Sequence, residues 1–187
     1  MIGALVAGQV GSGGASLSSY ESIATASGTG SSGTITFSSI PSTFKHLQLR
    51  WITRGTSTSY TASDLYLYMN GDTGISYTYH YLYGSGSTAG ASGAANQTLT
   101  YLGETTYGLA TSGIMGVGIC DILDYASTTK YKTHRTFSGD DRNGAGYVYL
   151  VSGLWMNTAA INKLEVKTVA GNFSTDTQVA LYGIKEA

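Results

Sequence analysis

Residues 75–83 read Ile-Ser-Tyr-Thr-Tyr-His-Tyr-Leu-Tyr, a run that sets Ile75, Tyr77, Tyr79, Tyr81 and Tyr83 against Ser76, Thr78 and His80. Successive side chains of a strand point to opposite sides of its sheet, so this alternation describes a β-strand with one aromatic face; a helix would scatter the rings around its axis. The same period recurs along the chain. Thr34–Phe37 alternates, Leu47, Leu49 and Trp51 share a face opposite His46, Gln48 and Arg50, and Leu65, Leu67 and Met69 oppose Tyr66 and Tyr68. Further strands are expected at Thr98–Leu102, Ile114–Leu123, Tyr131–Phe137, Gly146–Leu154, Leu164–Thr168 and Gln178–Lys185. Between them, Asn70-Gly71-Asp72 has the residues a tight turn with positive φ demands. Gly84–Ala95 reads as a long Gly/Ala/Ser loop, Thr158–Ile161 as a helical turn, and Gly139-Asp140-Asp141, running into Arg142-Asn143-Gly144, as a polar hairpin turn. About ten strands at this spacing predict an all-β fold, an antiparallel β-sandwich whose long connections favour a jelly-roll type over a meander.

The 187 residues fit one domain with a sizeable core. Residues 1–19 are set apart: a small apolar head, then Gly11-Ser12-Gly13-Gly14-Ala15-Ser16, which cannot build a core of its own. This divides the chain into a short extended N-terminal arm, 1–19, expected to dock on a partner, and a sandwich domain, 20–187. Only 11% of residues are charged, against about 25% in ordinary soluble domains, and the net charge is -1. Scattered Lys and Arg give no footprint for nucleic acid. The longest apolar stretch, Met1–Gly8, falls short of the roughly 20 residues of a membrane-spanning helix and lacks a basic leader. What is left is a neutral surface rich in hydroxyls and tyrosine, the composition of a scaffold or an adhesive face.

The residues that suggest chemistry are individually weak. Cys120 is the only cysteine and lies in an apolar strand, which predicts a buried, inert thiol. Asp121 and Asp124 are three apart, so on one strand they point to opposite faces and cannot face each other as glycosidase carboxylates do. Asp124 instead suits the turn into Tyr125-Ala126-Ser127. His46, His80 and His134 fall on separate strands without the close ligand spacing of a metal site. No cofactor, metal or catalytic residue is predicted. The Tyr77–Tyr83 face and Trp155 are expected in the core, and Tyr66 and Tyr68, opposite an aliphatic face, are the better candidates for a contact between subunits. Met1, Ile2, Leu5 and Val6 are the apolar residues with which the arm would dock.

Several segments taken together carry a resemblance: Ser19-Tyr20-Glu21-Ser22-Ile23-Ala24, Thr36–Pro41 running into Thr43–Gln48, Asn70-Gly71-Asp72, Asp121-Ile122-Leu123-Asp124-Tyr125, Ser152-Gly153-Leu154-Trp155 and Leu181-Tyr182-Gly183-Ile184-Lys185. In these the chain resembles small virion structural proteins of tailed phages of cyanobacteria and other marine bacteria. The resemblance implies a place on a virion, capsid exterior or tail, and no catalysis. The expectation is a non-enzymatic capsid decoration or cement protein, a homotrimer that contacts the major capsid protein or another virion protein. The alternative is a tail-fibre or receptor-binding module whose tyrosines stack on host surface polysaccharide. The short segment before Ser19 has no shaft-forming repeat, which favours decoration.

Overall fold

The structure is a computed structural model and describes residues 19–185. Those residues form an all-β fold of twelve strands: β1 (Tyr20–Ser27), β2 (Thr34–Phe37), β3 (His46–Thr53), β4 (Ala62–Met69), β5 (Tyr77–Gly84), β6 (Ala89–Gln97), β7 (Thr100–Thr106), β8 (Gly116–Leu123), β9 (Lys132–Asp141), β10 (Gly146–Trp155), β11 (Leu164–Thr168) and β12 (Gln178–Ile184). All pairings between named strands are antiparallel. They build an eight-stranded sheet in the order β1-β12-β3-β8-β9-β10-β5-β6 and a four-stranded sheet in the order β2-β11-β4-β7, the two layers of a β-sandwich. Four pairs nest inside one another along the chain: β1 with β12, β2 with β11, β3 with β8 and β4 with β7. Two further hairpins, β5–β6 and β9–β10, are spliced into this nest and extend the large sheet beyond the small one.

The main core lies between the sheets, where the expected faces meet. Leu47, Leu49 and Trp51 of β3, Cys120 and Ile122 of β8, and Val179 and Leu181 of β12 pack against Leu65, Leu67 and Met69 of β4 and Leu164 and Val166 of β11. The β4–β5 corner is tied down by polar groups that the core leaves room for. Asn70 and Gly71 turn at φ 55 and 67, and the Asn70 carboxamide accepts from the Asn162 and Lys163 amides while donating to the Ala160 carbonyl. Trp155, buried as expected, donates its indole N–H to Asp72 at 2.7 Å and stacks on Tyr77. Hydrogen bonds from Ser76 and Trp155 hold the Asp72 carboxyl below the usual carboxylate range.

β9 inverts the usual pattern. Its buried side chains are Lys132, His134, Thr136, Ser138 and Asp140, whereas Phe137 faces outward and is 57% exposed. Lys132, His134, Thr136 and Ser138 survive inside because each has a hydrogen-bond partner, and Asp140 because it has an ion pair. Lys132 donates to the carbonyls of Ser127, Lys130 and Thr158. His134 meets the Thr100 hydroxyl at 2.8 Å, Ser138 donates to the Leu102 carbonyl, and Asp140 pairs with Arg142. With the Thr53–Thr105 hydroxyl pair, these contacts make a hydrogen-bonded seam beneath β7. On one side is the aliphatic core; on the other is a second cluster, with Tyr101, Tyr149 and Val151 buried and Tyr66, Tyr79, Tyr81, Tyr83 and Tyr147 packed against them.

Four sequence expectations are corrected. The presumed loop 84–95 is largely β6, paired with β5 from Tyr77↔Gln97 to Gly84↔Ala89. Its small residues are required by what lies over them: a Cβ on Gly93 would sit 2.7 Å from both the Tyr79 carbonyl oxygen and the His80 ring. Gly139-Asp140-Asp141 belongs to β9, and the turn falls one step later, where Asn143 and Gly144 take φ 63 and 94 and their amides bond the Asp141 carboxylate. Residues 158–161 are irregular rather than helical, held by the Asn157 side chain on the Ala159 amide and by the Ile161 amide on the Tyr125 carbonyl. Ile75 precedes β5 and is 67% exposed, so it is not part of the aromatic face.

Candidate interaction surfaces

The sequence singled out the thiol, imidazoles and carboxylates, and the structure closes off the one nucleophile–base pair they form. Cys120 Sγ and His134 Nδ1 lie 3.7 Å apart but both residues are completely buried. Burial pushes the thiol up to about 12 and the imidazole down to about 4, so the thiol stays protonated at neutral pH. Asp121 accepts from the Gln48 carboxamide. Asp124 shapes the turn as expected, with φ 47 and its carbonyl on the Ser127 amide. A hydrogen bond from Lys130, with the nearby charges of Lys130 and Lys45, holds its carboxyl below the ordinary range. Among the described residues no group of three His, Cys, Asp or Glu side chains is placed to hold a metal ion, and no helix is long and apolar enough to cross a membrane.

Two surfaces stand out instead. The first is the outer face of the eight-stranded sheet. Ile119, Phe137, Leu150, Leu82 and Ala91 are direct cross-strand neighbours in one row across β8, β9, β10, β5 and β6. In the adjacent row Ile52 lies opposite Val117, and Val148 lies one strand beyond Gly139. Leu82 is 59% exposed, Leu150 53%, Val117 51% and Val148 52%. A shallow groove of about 410 Å³ runs along Leu82, Ala91, Arg135 and Leu150, and another of about 500 Å³ along Met115, Val117, Phe137 and Val148. Phe137 and Leu150 form the ridge between them. The residue types explain the band: β8 (Gly-Val-Gly-Ile-Cys-Asp-Ile-Leu) and β10 (Gly-Tyr-Val-Tyr-Leu-Val-Ser-Gly-Leu-Trp) are apolar on both faces, the pattern of strands covered from both sides. One side is covered within the chain.

The second surface is the tyrosine cluster where the large sheet overhangs the small one. Tyr79, Tyr81 and Tyr83 of β5 and Tyr147 and Tyr149 of β10 project from the overhang toward Tyr101 of β7 and Tyr66 of β4. Ring centroids are 5.0 Å apart for Tyr81 and Tyr101 and 5.6 Å for Tyr79 and Tyr101. Asp64 and Glu104, cross-strand partners on β4 and β7, mark one end. Tyr66 donates to Asp64 at 2.8 Å and Tyr149 to Glu104 at 2.7 Å. Burial first, and then these carboxylates, raise the Tyr66 and Tyr149 hydroxyls above their usual range, and burial likewise raises Glu104.

Of the residues proposed from sequence for contacts, Met1, Ile2, Leu5 and Val6 lie outside the described residues. Tyr66 and Tyr68 are separated in role: Tyr66 turns into the tyrosine cluster, whereas Tyr68 is half-buried on the outer face of the small sheet beneath the Lys167 ammonium, 5.6 Å from its ring. The sequence reading missed the outer apolar band. Its signal was present in the two-faced apolar strands β8 and β10. Comparison with protein-family models, with curated proteins and with solved structures finds no match for this chain.

Proposed function

We propose that the protein is a non-enzymatic structural component of a virion, on the capsid exterior as a decoration or cement protein, which self-associates through the outer face of its eight-stranded sheet. The observation that carries this reading is the continuous apolar row Ile119–Phe137–Leu150–Leu82, with Ile119 half-buried and the other three exposed, on a molecule whose surface otherwise offers little charge. Monomeric soluble proteins rarely leave such contiguous patches bare. A second copy is the occupant that fits. With a net charge of -1 there is no long-range repulsion between copies, and a ridge flanked by two grooves can interdigitate with its own symmetry mate. Three sheets around an axis would give the homotrimer, and the arm 1–19 would reach the major capsid protein. Repeated weak contacts of this kind, multiplied by symmetry, hold a shell together without any reaction.

The resemblance of the segments around Asn70–Asp72 and Asp121–Tyr125 to virion structural proteins supports the location. The nested strand pairs, read as a jelly roll with two inserted hairpins, support the architecture. The test is light scattering on the purified protein with and without Phe137→Lys and Leu150→Lys. Wild type should be oligomeric at micromolar concentration and the double variant monomeric, with unchanged strand content. A monomeric wild type would overturn the reading. Imaging of particles that carry a labelled copy then reads the location: hundreds of sites on the shell for decoration, a few dozen or fewer at the tail for a fibre.

A further inference from the structure

The tyrosine cluster shares no residue with the outer apolar band proposed for self-association. We propose that it is a binding site for an uncharged glycan, with Tyr79, Tyr81 and Tyr83 as the stacking surface and Asp64 and Glu104 as acceptors for sugar hydroxyls.

The cluster is built unlike a core. In the aliphatic core Leu47, Leu49, Leu65, Leu67 and Leu181 are all completely buried. In the cluster Tyr101, Tyr149 and Val151 are buried, and Tyr66, Tyr79, Tyr81, Tyr83 and Tyr147 are only partly buried. The overhang produces this: β5 and β6 lie beyond the edge of the four-stranded sheet, so that sheet meets the rings of β5 mainly through Tyr101 of its edge strand β7, against Tyr79 and Tyr81, and leaves them partly exposed. A buried patch that needed only area would use Leu or Phe. Tyrosine adds a hydroxyl, and a partly wet ring with a polar tip suits a ligand that is apolar on one face and hydroxylated at its edge. A pyranose is such a ligand. Its C–H face lies on a ring while its hydroxyls reach past it.

The polar groups at the end of the cluster fit the same chemistry. Each of Asp64 and Glu104 receives a tyrosine hydroxyl, which uses one of roughly four acceptor positions on an ionised carboxylate. The remaining positions accept O–H donors. The cation alongside among the described residues, Arg142, is engaged by Asp140 at 2.8 Å and lies over the Tyr147 ring at 5.8 Å. Two carboxylates and the negative faces of several rings therefore repel an anionic polymer, and the ligand is a neutral one. Asp64 and Glu104 are neighbours on the same sheet face. They approach a sugar from one side, whereas hydrolysis needs two carboxyls that flank the scissile bond. The site holds a chain and does not cut it.

The experiment titrates the full-length protein with cellohexaose, maltoheptaose and an oligogalacturonate by saturation-transfer NMR and calorimetry. One neutral oligosaccharide should bind, with the tyrosine ring protons contacting it, and the acidic oligomer should not. Tyr79→Ala and Tyr83→Ala should each weaken binding at least tenfold, and Glu104→Gln should weaken it while leaving the rings in place. Light scattering on the same variants should show the wild-type oligomer, which keeps this proposal separate from the assembly reading. Since Tyr79→Ala could loosen the cluster, Tyr79→Phe serves as a control and should retain most of the affinity. Absence of binding by every neutral oligosaccharide, binding unchanged in Tyr79→Ala and Tyr83→Ala, or preference for the acidic oligomer would each overturn the proposal. Release of new reducing ends would also overturn it, by making the corner an active site.

Discussion

His134 shows how a polar residue becomes part of an interior. Its ring lies between Thr100, Thr136 and Cys120, and the fully buried imidazole is pushed down to about 4 from its ordinary 6.5 because there is no water to solvate the cation. A depressed folded value means that the unfolded chain binds the proton first as pH falls. The stabilisation from the neutral imidazole is therefore fully present above pH 6.5 and is lost as pH drops toward 4. The shift corresponds to about 3 kcal/mol. Urea unfolding at pH 7 and pH 4.5 should show this loss in the wild type. His134→Gln, which keeps a hydrogen bond to Thr100, should flatten the dependence. Equal slopes would mean that other groups carry the acid sensitivity. A different residue-scale constraint sits at Gly118, where a Cβ would lie 2.2 Å from the Trp51 ring. Gly118→Ala forces that buried indole aside and should cost about 1–3 kcal/mol in the same assay.

At the scale of elements, two strands carry most of what is distinctive. β9 has its polar residues inside and Phe137 outside, which is tolerable because β7 meets His134 and Ser138, the carbonyls of residues 127, 130 and 158 meet Lys132, and Arg142 meets Asp140. β6, composed of Ala, Gly, Ser, Asn and Gln, has almost no side-chain area to bury. It remains a strand through its backbone ladder with β5 and through the close approach of His80 and Tyr79 to Gly93. Edge strands held this way open easily. Gly93→Val, whose side chain would meet the Tyr79 carbonyl, should release β6. Hydrogen exchange should then report lost amide protection across residues 89–97 while the β3–β12 amides stay protected. Retained protection in β6 would show that the ladder tolerates the side chain.

For the whole molecule, the uneven pairing of eight strands with four creates both surfaces at once. Four inserted or adjoining strands, β9, β10, β5 and β6, widen one sheet; its outer face gains the apolar band and its overhang gains the open tyrosines. The aliphatic core of the described residues draws on side chains from Ile23 to Leu181. With the core and both surfaces built from residues of the sandwich domain, removal of residues 1–18 should leave the thermal midpoint within about 2 °C and the oligomer intact. Incorporation into particles should be lost if the arm is the docking element. A truncated protein found on particles at normal occupancy would reverse that assignment, and one that fails to fold would show that the arm completes the domain.

Strand identity was readable wherever one face was to be buried against the other sheet: Leu47–Leu49–Trp51, Leu65–Leu67–Met69 and Tyr77–Tyr83 each announce a strand by their period, and Asn70-Gly71 announces its turn, because these are local consequences of side-chain direction and backbone sterics. β6 was not readable as a strand. Its pairing is decided by the backbone of β5, and Gly93 and Gly90 are small because of rings on another strand. The inversion of β9 was hidden for the same reason: a buried Lys132 or His134 depends on partners from the 127–130 turn, residue 158 and β7. Tyr66 and Tyr68 look equivalent in the sequence, one period apart on the same face. The tertiary structure separates them, packing Tyr66 on Tyr101 within the tyrosine cluster and leaving Tyr68 to Lys167. Local alternation set which residues can share a face, and the order in which twelve strands pair determined which of those faces would be covered.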